Sequence, residues 1–141
     1  EYNPKNYSRL IKPILQNKSQ IVYGSRVLKG AKRTRPKTLS FAIRIFANHF
    51  LTFLSNIINN QNLTDAHTCY KVFSSKIIKK INLKEDGFNF CPEVTTKISK
   101  LNLKIVEVPI DYYGRTVDEG KKIQFFDGFR AIYCLLKYRF L

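Results

Sequence analysis

The stretch Ile21-Val22-Tyr23-Gly24-Ser25-Arg26 decides the fold class of this chain. Its first three residues are β-prone, and the Gly-Ser pair that follows predicts a short strand ending in a turn. On both sides of this strand the apolar residues recur at helical spacing. We predict helices from Pro4 onward (capped by Asn3), at 39–58, at 75–81, from Pro92 onward and at 125–138. Further strands are predicted at 69–73 and 105–113, and Pro109 makes the last an edge strand or gives it a bulge. Helices that alternate with few, short strands predict part of an α/β layered domain.

Charge is distributed unevenly along the chain. The 141 residues carry a formal net charge of +15, and Asp65 is the sole acid between Glu1 and Glu85, a span that holds sixteen Lys and Arg. Such asymmetry predicts an anionic partner: nucleic acid, an acidic membrane surface or a phosphorylated small molecule. A basic surface that only aids solubility is the alternative.

The three cysteines are widely separated and form no Cys/His ligand pattern. Neither a disulfide framework nor a zinc site is therefore predicted. Reduced thiols in a cytoplasmic protein fit this usage best.

The longest apolar segment, residues 39–58, approaches the length of a membrane span. Arg44 interrupts it, and a central Arg costs roughly 2.5–3.5 kcal/mol on a translocon scale. We therefore expect a buried or interface-lying amphipathic helix rather than a transmembrane one, with most of its apolar side chains, and those of 125–138, in the core.

Three residues are candidates for chemistry, each beside a plainer alternative. Asp65 is either a turn residue or a carboxylate held ionised by surrounding cations. Arg26, just past the predicted strand, is either a surface Arg or a planar fork for phosphate oxygens. Arg44 must find an anion or solvent, because an unpaired buried guanidinium is costly.

The loop at 113–123 holds two glycines and three cations between a predicted strand and a predicted helix. This composition is typical of a flexible anion-binding flap, although it matches no phosphate-loop or dinucleotide motif.

Taken in order, the segments resemble the family 2 glycosyltransferases, and most closely the dolichol-phosphate mannose synthase-like enzymes. The matching segments are EYNP at 1–4, VYGSR at 22–26, the helix with Arg44, Asn48 and Leu51-Thr52, NLTDAHTCYKVF at 62–73, FNFCPEVTTKI at 88–98, and VPIDYYGRTVDEGKKIQFFDGFRAIYCLLKY at 108–138. The resemblance implies that residues 1–141 are the C-terminal, acceptor-side portion of a single GT-A-type (Rossmann-like) α/β domain. Its N-terminal nucleotide-binding half would be absent, so the isolated chain is expected to be inactive.

The resemblance also implies the reaction, in which a sugar passes from a nucleotide-sugar (GDP-mannose or a UDP-sugar) to a polyprenyl or dolichyl phosphate. Asp65 corresponds to the catalytic base or acceptor-orienting acid, Arg26 and Arg44 to acceptor-phosphate ligands, and Arg115 and Lys122 to donor-diphosphate ligands. The cofactor would be Mg²⁺ or Mn²⁺, with both metal ligands in an Asp-x-Asp pair upstream of Glu1 and none in this chain.

The implied location is the cytoplasmic face of a membrane, as a peripheral protein whose partners are the nucleotide-sugar, the polyprenyl phosphate and anionic headgroups. No nucleic-acid partner is expected in that case. A basic nucleic-acid-binding module, supported by the charge and by 13% aromatic residues, is the alternative.

Overall fold

The computed structural model of the chain describes residues 1–34, 38–115 and 126–141. The helices are α1 (Tyr7–Leu15), α2 (Leu39–Asn59), α3 (Ser75–Ile78), α4 (Phe90–Lys100) and α5 (Phe126–Phe140). The strands are β1 (Ile21–Ser25), β2 (Arg33–Thr34), β3 (Lys71–Phe73), β4 (Ile105–Pro109) and β5 (Tyr112–Tyr113). The predicted mixture of helices and short strands is confirmed.

The central sheet has three strands in the order β3-β1-β4. β1 pairs antiparallel with β3 and parallel with β4, so the sheet is mixed. The prediction of one strand at 105–113 is wrong: β4 ends at Pro109, which has no N–H to donate, and Tyr112–Tyr113 form β5. β4 occupies one edge of the central sheet, as predicted. A second, two-stranded sheet pairs β2 with β5 in parallel.

Alternate residues of β1 face two different apolar clusters. Ile21 and Tyr23 pack with Val94 and Ile98 of α4, whereas Val22 packs with Leu10 of α1 on the opposite face. Because side chains alternate across a strand, one buried strand serves both layers. This double burial explains why Ile21, Val22 and Tyr23 are all apolar rather than alternating with polar residues.

The predicted start of the first helix is also confirmed. The Asn3 side chain accepts a hydrogen bond from the backbone N–H of Lys5 at 3.0 Å, and Pro4 opens a 3₁₀ turn that runs into α1. The α4 helix begins at Phe90, two residues earlier than the sequence predicted.

The prediction that the apolar side chains of 39–58 and 125–138 lie mainly in the core is wrong. α2 buries Phe41, Thr52, Ser55 and Asn59. The large apolar side chains that the two helices expose are Leu39, Ile43, Phe46, Phe50, Phe53 and Ile57 on α2, and Phe126, Phe129, Tyr133, Leu136 and Phe140 on α5. We call these two rows the apolar stripes.

The physical reason lies on the inner side of α2, where polar groups bond to the domain. The Asn59 amide donates to Thr96 Oγ1 at 3.2 Å and accepts from Ser99 Oγ at 3.3 Å, both on α4. Asn56 exchanges two hydrogen bonds with the backbone of Leu63. Since these bonds fix which side of α2 faces inward, its apolar side chains remain outside.

We predict that Gly24→Ala destabilises the protein by about 1–3 kcal/mol. An added Cβ would lie 2.8 Å from Ile110 Cγ2 and 3.2 Å from Tyr70 Cβ, both in packed surroundings. Denaturant unfolding measures the change. Gly128→Ala is the matched control, because a Cβ there meets no atom within 4 Å, and we expect it to be neutral or stabilising. Equal stability of wild type and Gly24→Ala would contradict the predicted steric conflict.

Candidate active site

The sequence-predicted residues Arg26 and Asp65 meet in a buried ion pair. Arg26 Nε donates to Asp65 Oδ2 and its Nη2 donates to Oδ1, each at 2.7 Å. The backbone N–H of Arg26 adds a third bond to Oδ2 at 3.1 Å. Asp65 has no exposed side-chain surface and Arg26 retains 11%. This is the bidentate fork geometry that fixes both planar groups.

Neighbouring groups keep both members of this pair charged. Burial opposes the ionised form of Asp65, but the hydrogen bonds and charge of Arg26 outweigh it and lower the pKa of Asp65. Burial likewise opposes the charged guanidinium, and the bonds to Asp65 outweigh it, so the pKa of Arg26 is raised. Asn48 of α2 bonds to both partners at 3.3 Å. Asp65 is therefore an ionised carboxylate at neutral pH.

A residue that sequence reasoning missed, Glu107 of β4, positions Asp65. Glu107 Oε1 accepts the backbone N–H of Asp65 at 3.0 Å, and Oε2 accepts the backbone N–H and the hydroxyl of Thr64 at 2.8 and 3.0 Å. Burial raises the pKa of Glu107, partly offset by these bonds. In the sequence, Glu107 stands out only as an acid in the middle of a β-prone run, and that pattern does not indicate that it bonds to Thr64 and Asp65.

The aromatic ring of Tyr112, in the second sheet, supports the guanidinium of Arg26. Its Cζ lies 5.1 Å from the centroid of the Tyr112 ring, and Arg33 Cζ lies 5.6 Å from the same ring. Cation–π contacts of this kind add to the fixed orientation of an Arg. The guanidinium groups of Arg26 and Arg33 are thus held in a fixed orientation in the site.

A cavity of about 560 Å³ opens beside this ion pair, between α2 and α5. Its lining combines three arginines with apolar side chains. The arginines are Arg26, Arg33 and Arg44, and the aromatic side chains are Phe41, Phe50, Phe88, Tyr112 and Phe129. Such a lining accommodates a molecule with an anionic end and an apolar body.

Arg44 lies on the α2 wall of the cavity and is partly exposed. Within residues 1–34, 38–115 and 126–141, no group forms an ion pair or hydrogen bond with the Arg44 guanidinium. The structure thus brings Arg26 and Arg44 to one cavity, whereas Asp65 is bonded to Arg26 but is not part of the cavity lining. A cation without a protein partner at an apolar wall is typical of a site for an anion.

The two cations predicted to bind the donor diphosphate are not both placed. Arg115 Nη2 lies 3.2 Å from Glu1 Oε2, and its side chain is half exposed. Arg115 is outside the cavity lining. Lys122 lies outside the described residues.

No group of three or more His, Cys, Asp or Glu side chains in the described parts of the chain is arranged to hold a metal ion. The resemblance places the ligands of Mg²⁺ or Mn²⁺ upstream of Glu1, and that placement stays a prediction.

One helix among the described residues, α2, is long and apolar enough to cross a membrane by length and composition. Length and composition do not separate a membrane span from the buried helix of a globular protein. The apolar stripes are more specific, because they show apolar side chains exposed on α2 and α5. Contiguous exposed apolar surface is typical of contact with a lipid or a partner.

Comparison with known proteins gives several relatives at similar identity, three of which are as follows. The chain is 26% identical over 140 residues to a UDP-N-acetylglucosamine--dolichyl-phosphate N-acetylglucosaminyltransferase of Methanococcus voltae, covering 96% of this chain and 53% of that protein. It is 27% identical over 127 residues to an undecaprenyl-phosphate mannosyltransferase of Micrococcus luteus, covering 85% and 48%. An uncharacterized protein of Methanocaldococcus jannaschii is 25% identical over 138 residues, covering 96% and 55%. No model of a known protein family matches the sequence.

The chain spans about half the length of these relatives. Two of these three proteins have a named activity, and each name gives a glycosyltransferase and a polyprenyl phosphate, so the predicted resemblance is supported at that level. The narrower resemblance to mannose synthases stays a prediction.

We predict that Glu107→Ala destabilises the protein by roughly 2–4 kcal/mol, because two backbone N–H groups and a hydroxyl lose their acceptor. Glu107→Gln, which keeps one acceptor oxygen, should lie between. Urea unfolding measures both. Asp111→Ala, an acid of the same stretch with no hydrogen bond or ion pair in the described residues, should change stability by less than about 0.5 kcal/mol. A Glu107→Ala variant as stable as Asp111→Ala would contradict the assignment.

A second prediction concerns His67, whose pKa burial and the charge of Lys71 lower to about 4. Above about pH 6.5 the imidazole is neutral both folded and unfolded. Between about pH 6.5 and pH 4 the unfolded chain binds the proton more readily, so the free energy of unfolding should fall by roughly 2–3 kcal/mol as the pH drops.

The measurement is urea unfolding at several pH values, compared between wild type and His67→Gln. The comparison is needed because Glu107, with its raised pKa, contributes a slope of opposite sign. His49→Gln, the exposed histidine, is the control and should keep the wild-type slope. Identical slopes in wild type and His67→Gln would show that His67 is not the responsible group.

Proposed function

We propose that this chain forms the acceptor side of a glycosyltransferase that moves a sugar from a nucleotide-sugar to a polyprenyl phosphate at a membrane surface. The observation that carries the proposal is the cavity between α2 and α5, which joins three arginines to apolar walls. The similarity to polyprenyl-phosphate glycosyltransferases supports the same chemistry.

The cavity lining suits both parts of such an acceptor. The phosphate would meet Arg44, which has no partner among the described residues, together with Arg26. The first isoprene units would contact Phe50 and Phe129 on the facing helices. The aliphatic part of the lining, which includes Ile43, Leu51 and Ile132, favours an isoprenoid chain over nucleic-acid bases, whose polar edges would lose their hydrogen bonds to water there.

In the reaction, an oxygen of the acceptor phosphate attacks the anomeric carbon of the sugar. The bond from that carbon to the nucleoside diphosphate breaks, and the diphosphate leaves with the electron pair. Both reactants are anions, so the cations offset their repulsion and stabilise the leaving group.

Asp65 acts in this scheme as the acceptor-orienting acid rather than as a base. Both of its oxygens already accept hydrogen bonds from Arg26, and its pKa is lowered. A carboxylate so held is a weak proton acceptor, but it fixes the guanidinium toward the cavity. A phosphate monoester has a second pKa of about 6, so at neutral pH it is mostly the dianion and needs no base.

The apolar stripes of α2 and α5 would lie against the bilayer, beside the cavity mouth. Basic residues 29–37 would approach anionic headgroups at about 1 kcal/mol per cation. The cytoplasmic face is proposed because nucleotide-sugars and reduced thiols both suit that compartment.

The donor side lies largely beyond this chain in the proposal. Arg115 and Lys122 would approach the diphosphate of GDP-mannose or a UDP-sugar, and Mg²⁺ or Mn²⁺ would be held by residues outside residues 1–141. The isolated chain is then expected to be inactive, and 1–141 would be one portion of a single catalytic domain.

The test is sugar transfer from a radiolabelled nucleotide-sugar panel to polyprenyl phosphate by the intact protein. We expect Asp65→Asn and Arg44→Gln each to lower the rate at least about 100-fold, through lost orientation and lost phosphate binding. Arg130→Gln, an exposed cation on α5 outside the cavity, is the matched control and should retain transfer. Near-normal turnover by both site variants would overturn the site. Salt-sensitive oligonucleotide binding without any transfer would favour the nucleic-acid alternative.

A further inference from the structure

His67 lines the cavity but takes no part in the site described so far. It lies two residues after Asp65, in the turn that leads from α2 to β3. Its Nε2 atom is buried, and in the described portion of the chain no donor or acceptor pairs with it. The residue was not among those that the sequence singled out for chemistry.

An unpaired buried ring nitrogen carries a cost that folding ordinarily avoids. In native structures such groups concentrate where a ligand or ordered solvent supplies the missing bond. The surroundings of His67 narrow the choice of ligand. Arg26 and Lys71 place positive charge beside it, Asp65 is already saturated by Arg26, and the cavity that it lines also contains Arg44 and Asp127.

A neutral imidazole is the stable form in such a field. Burial and Lys71 hold its pKa at about 4, and the opposing charge of Asp65 is too small to reverse this. An incoming phosphate would alter the balance, because one or two negative charges would replace water next to the ring. The ring can then bind a proton and donate a hydrogen bond to a phosphate oxygen.

We propose that His67 is an acceptor-binding residue, whose Nε2 forms a hydrogen bond to the phosphate of the lipid in the cavity while the imidazole takes up a proton from solvent. The inference rests on the proposed function, because it assumes that a phosphate enters this cavity. It adds a ligand that the arginines do not provide: one that is neutral in the empty site and cationic in the filled one.

This change of charge gives the site a means of selection. A cavity with one more permanent cation would hold inorganic anions and the anionic product more firmly. A histidine that becomes protonated only when a phosphate lies close to it favours the binding of a phosphate monoester that can approach Nε2. Binding should therefore strengthen as the pH falls from 7.5 to 6, beyond the effect of the ligand's own ionisation.

The test is calorimetric titration of the intact protein with citronellyl phosphate, a short soluble isoprenyl monophosphate, at pH 6 and 7.5. Each titration is run in two buffers of different ionisation enthalpy, so that the number of protons taken up is measured directly. Wild type should take up a substantial fraction of a proton at pH 6. His67→Gln should bind about tenfold more weakly at pH 6 and take up fewer protons.

Two controls separate this role from a merely structural one. His49→Gln, at the exposed histidine of α2, should behave as wild type. Thermal unfolding at pH 7.5 should give His67→Gln a melting temperature close to that of wild type, since no protein hydrogen bond is lost. If His67→Gln is poorly folded, His67→Asn takes its place, and the same loss of proton uptake is expected.

The outcomes distinguish the two proposals. Equal affinity and equal proton uptake in wild type and His67→Gln, with binding lost in Arg44→Gln, would overturn the role of His67 and leave the proposed function intact. No binding of citronellyl phosphate by wild type at either pH would overturn both. Weaker binding by His67→Gln at pH 6 with unchanged proton uptake would also refute the proposal, because another group would then be titrating.

Discussion

The bidentate bond between Arg26 and Asp65 is the interaction on which the site depends. Two opposite charges are removed from water, which is costly unless the geometry is good and the remaining lone pairs are bonded. Here the carboxylate also accepts a backbone N–H and an Asn48 amide, and Glu107 holds the backbone of the turn that carries Asp65. The strand β1, the loop after α2 and the strand β4 are thus tied together at one point.

That tie also explains the charge pattern. A carboxylate placed freely among the cations of the first 84 residues would neutralise the field needed for an anionic ligand. Asp65 instead orients the guanidinium of Arg26 and has no exposed surface, so its negative charge is offset by Arg26 alone. Arg44, without a partner among the described residues, is left to face the cavity.

Much of this architecture could be predicted from the sequence because its signals are local. A β-prone run before Gly-Ser, an Asn-Pro helix start and a Pro that confines its strand to a sheet edge each act through their own backbone and neighbours. Asp65 was distinguishable because it is an isolated acid in a basic span. Glu107 was not, since its partners Thr64 and Asp65 lie more than forty residues away in sequence. His67 carried no signal at all, because what distinguishes it is a bond that it lacks.

The failed prediction about α2 has a different origin. The spacing of apolar residues indicates which face of a helix is apolar, but not whether that face packs against the domain or is exposed. In this chain the inner side is chosen by Asn56 and Asn59, whose amides bond to the loop at Leu63 and to α4. Polar residues with specific partners decided the orientation.

Attachment through amides and hydroxyls has a consequence for how α2 responds to its solvent. Contacts between apolar side chains of two helices lose the hydrophobic driving force when lipid hydrocarbon replaces water around the helices. Hydrogen bonds such as those from Asn59 to Thr96 and Ser99 instead strengthen as the local dielectric falls. A helix attached through hydrogen bonds can therefore pass from water to a lipid environment without losing its attachment to the domain. Detergent should strengthen the packing of α2 on α4, whereas it would weaken a purely apolar helix contact.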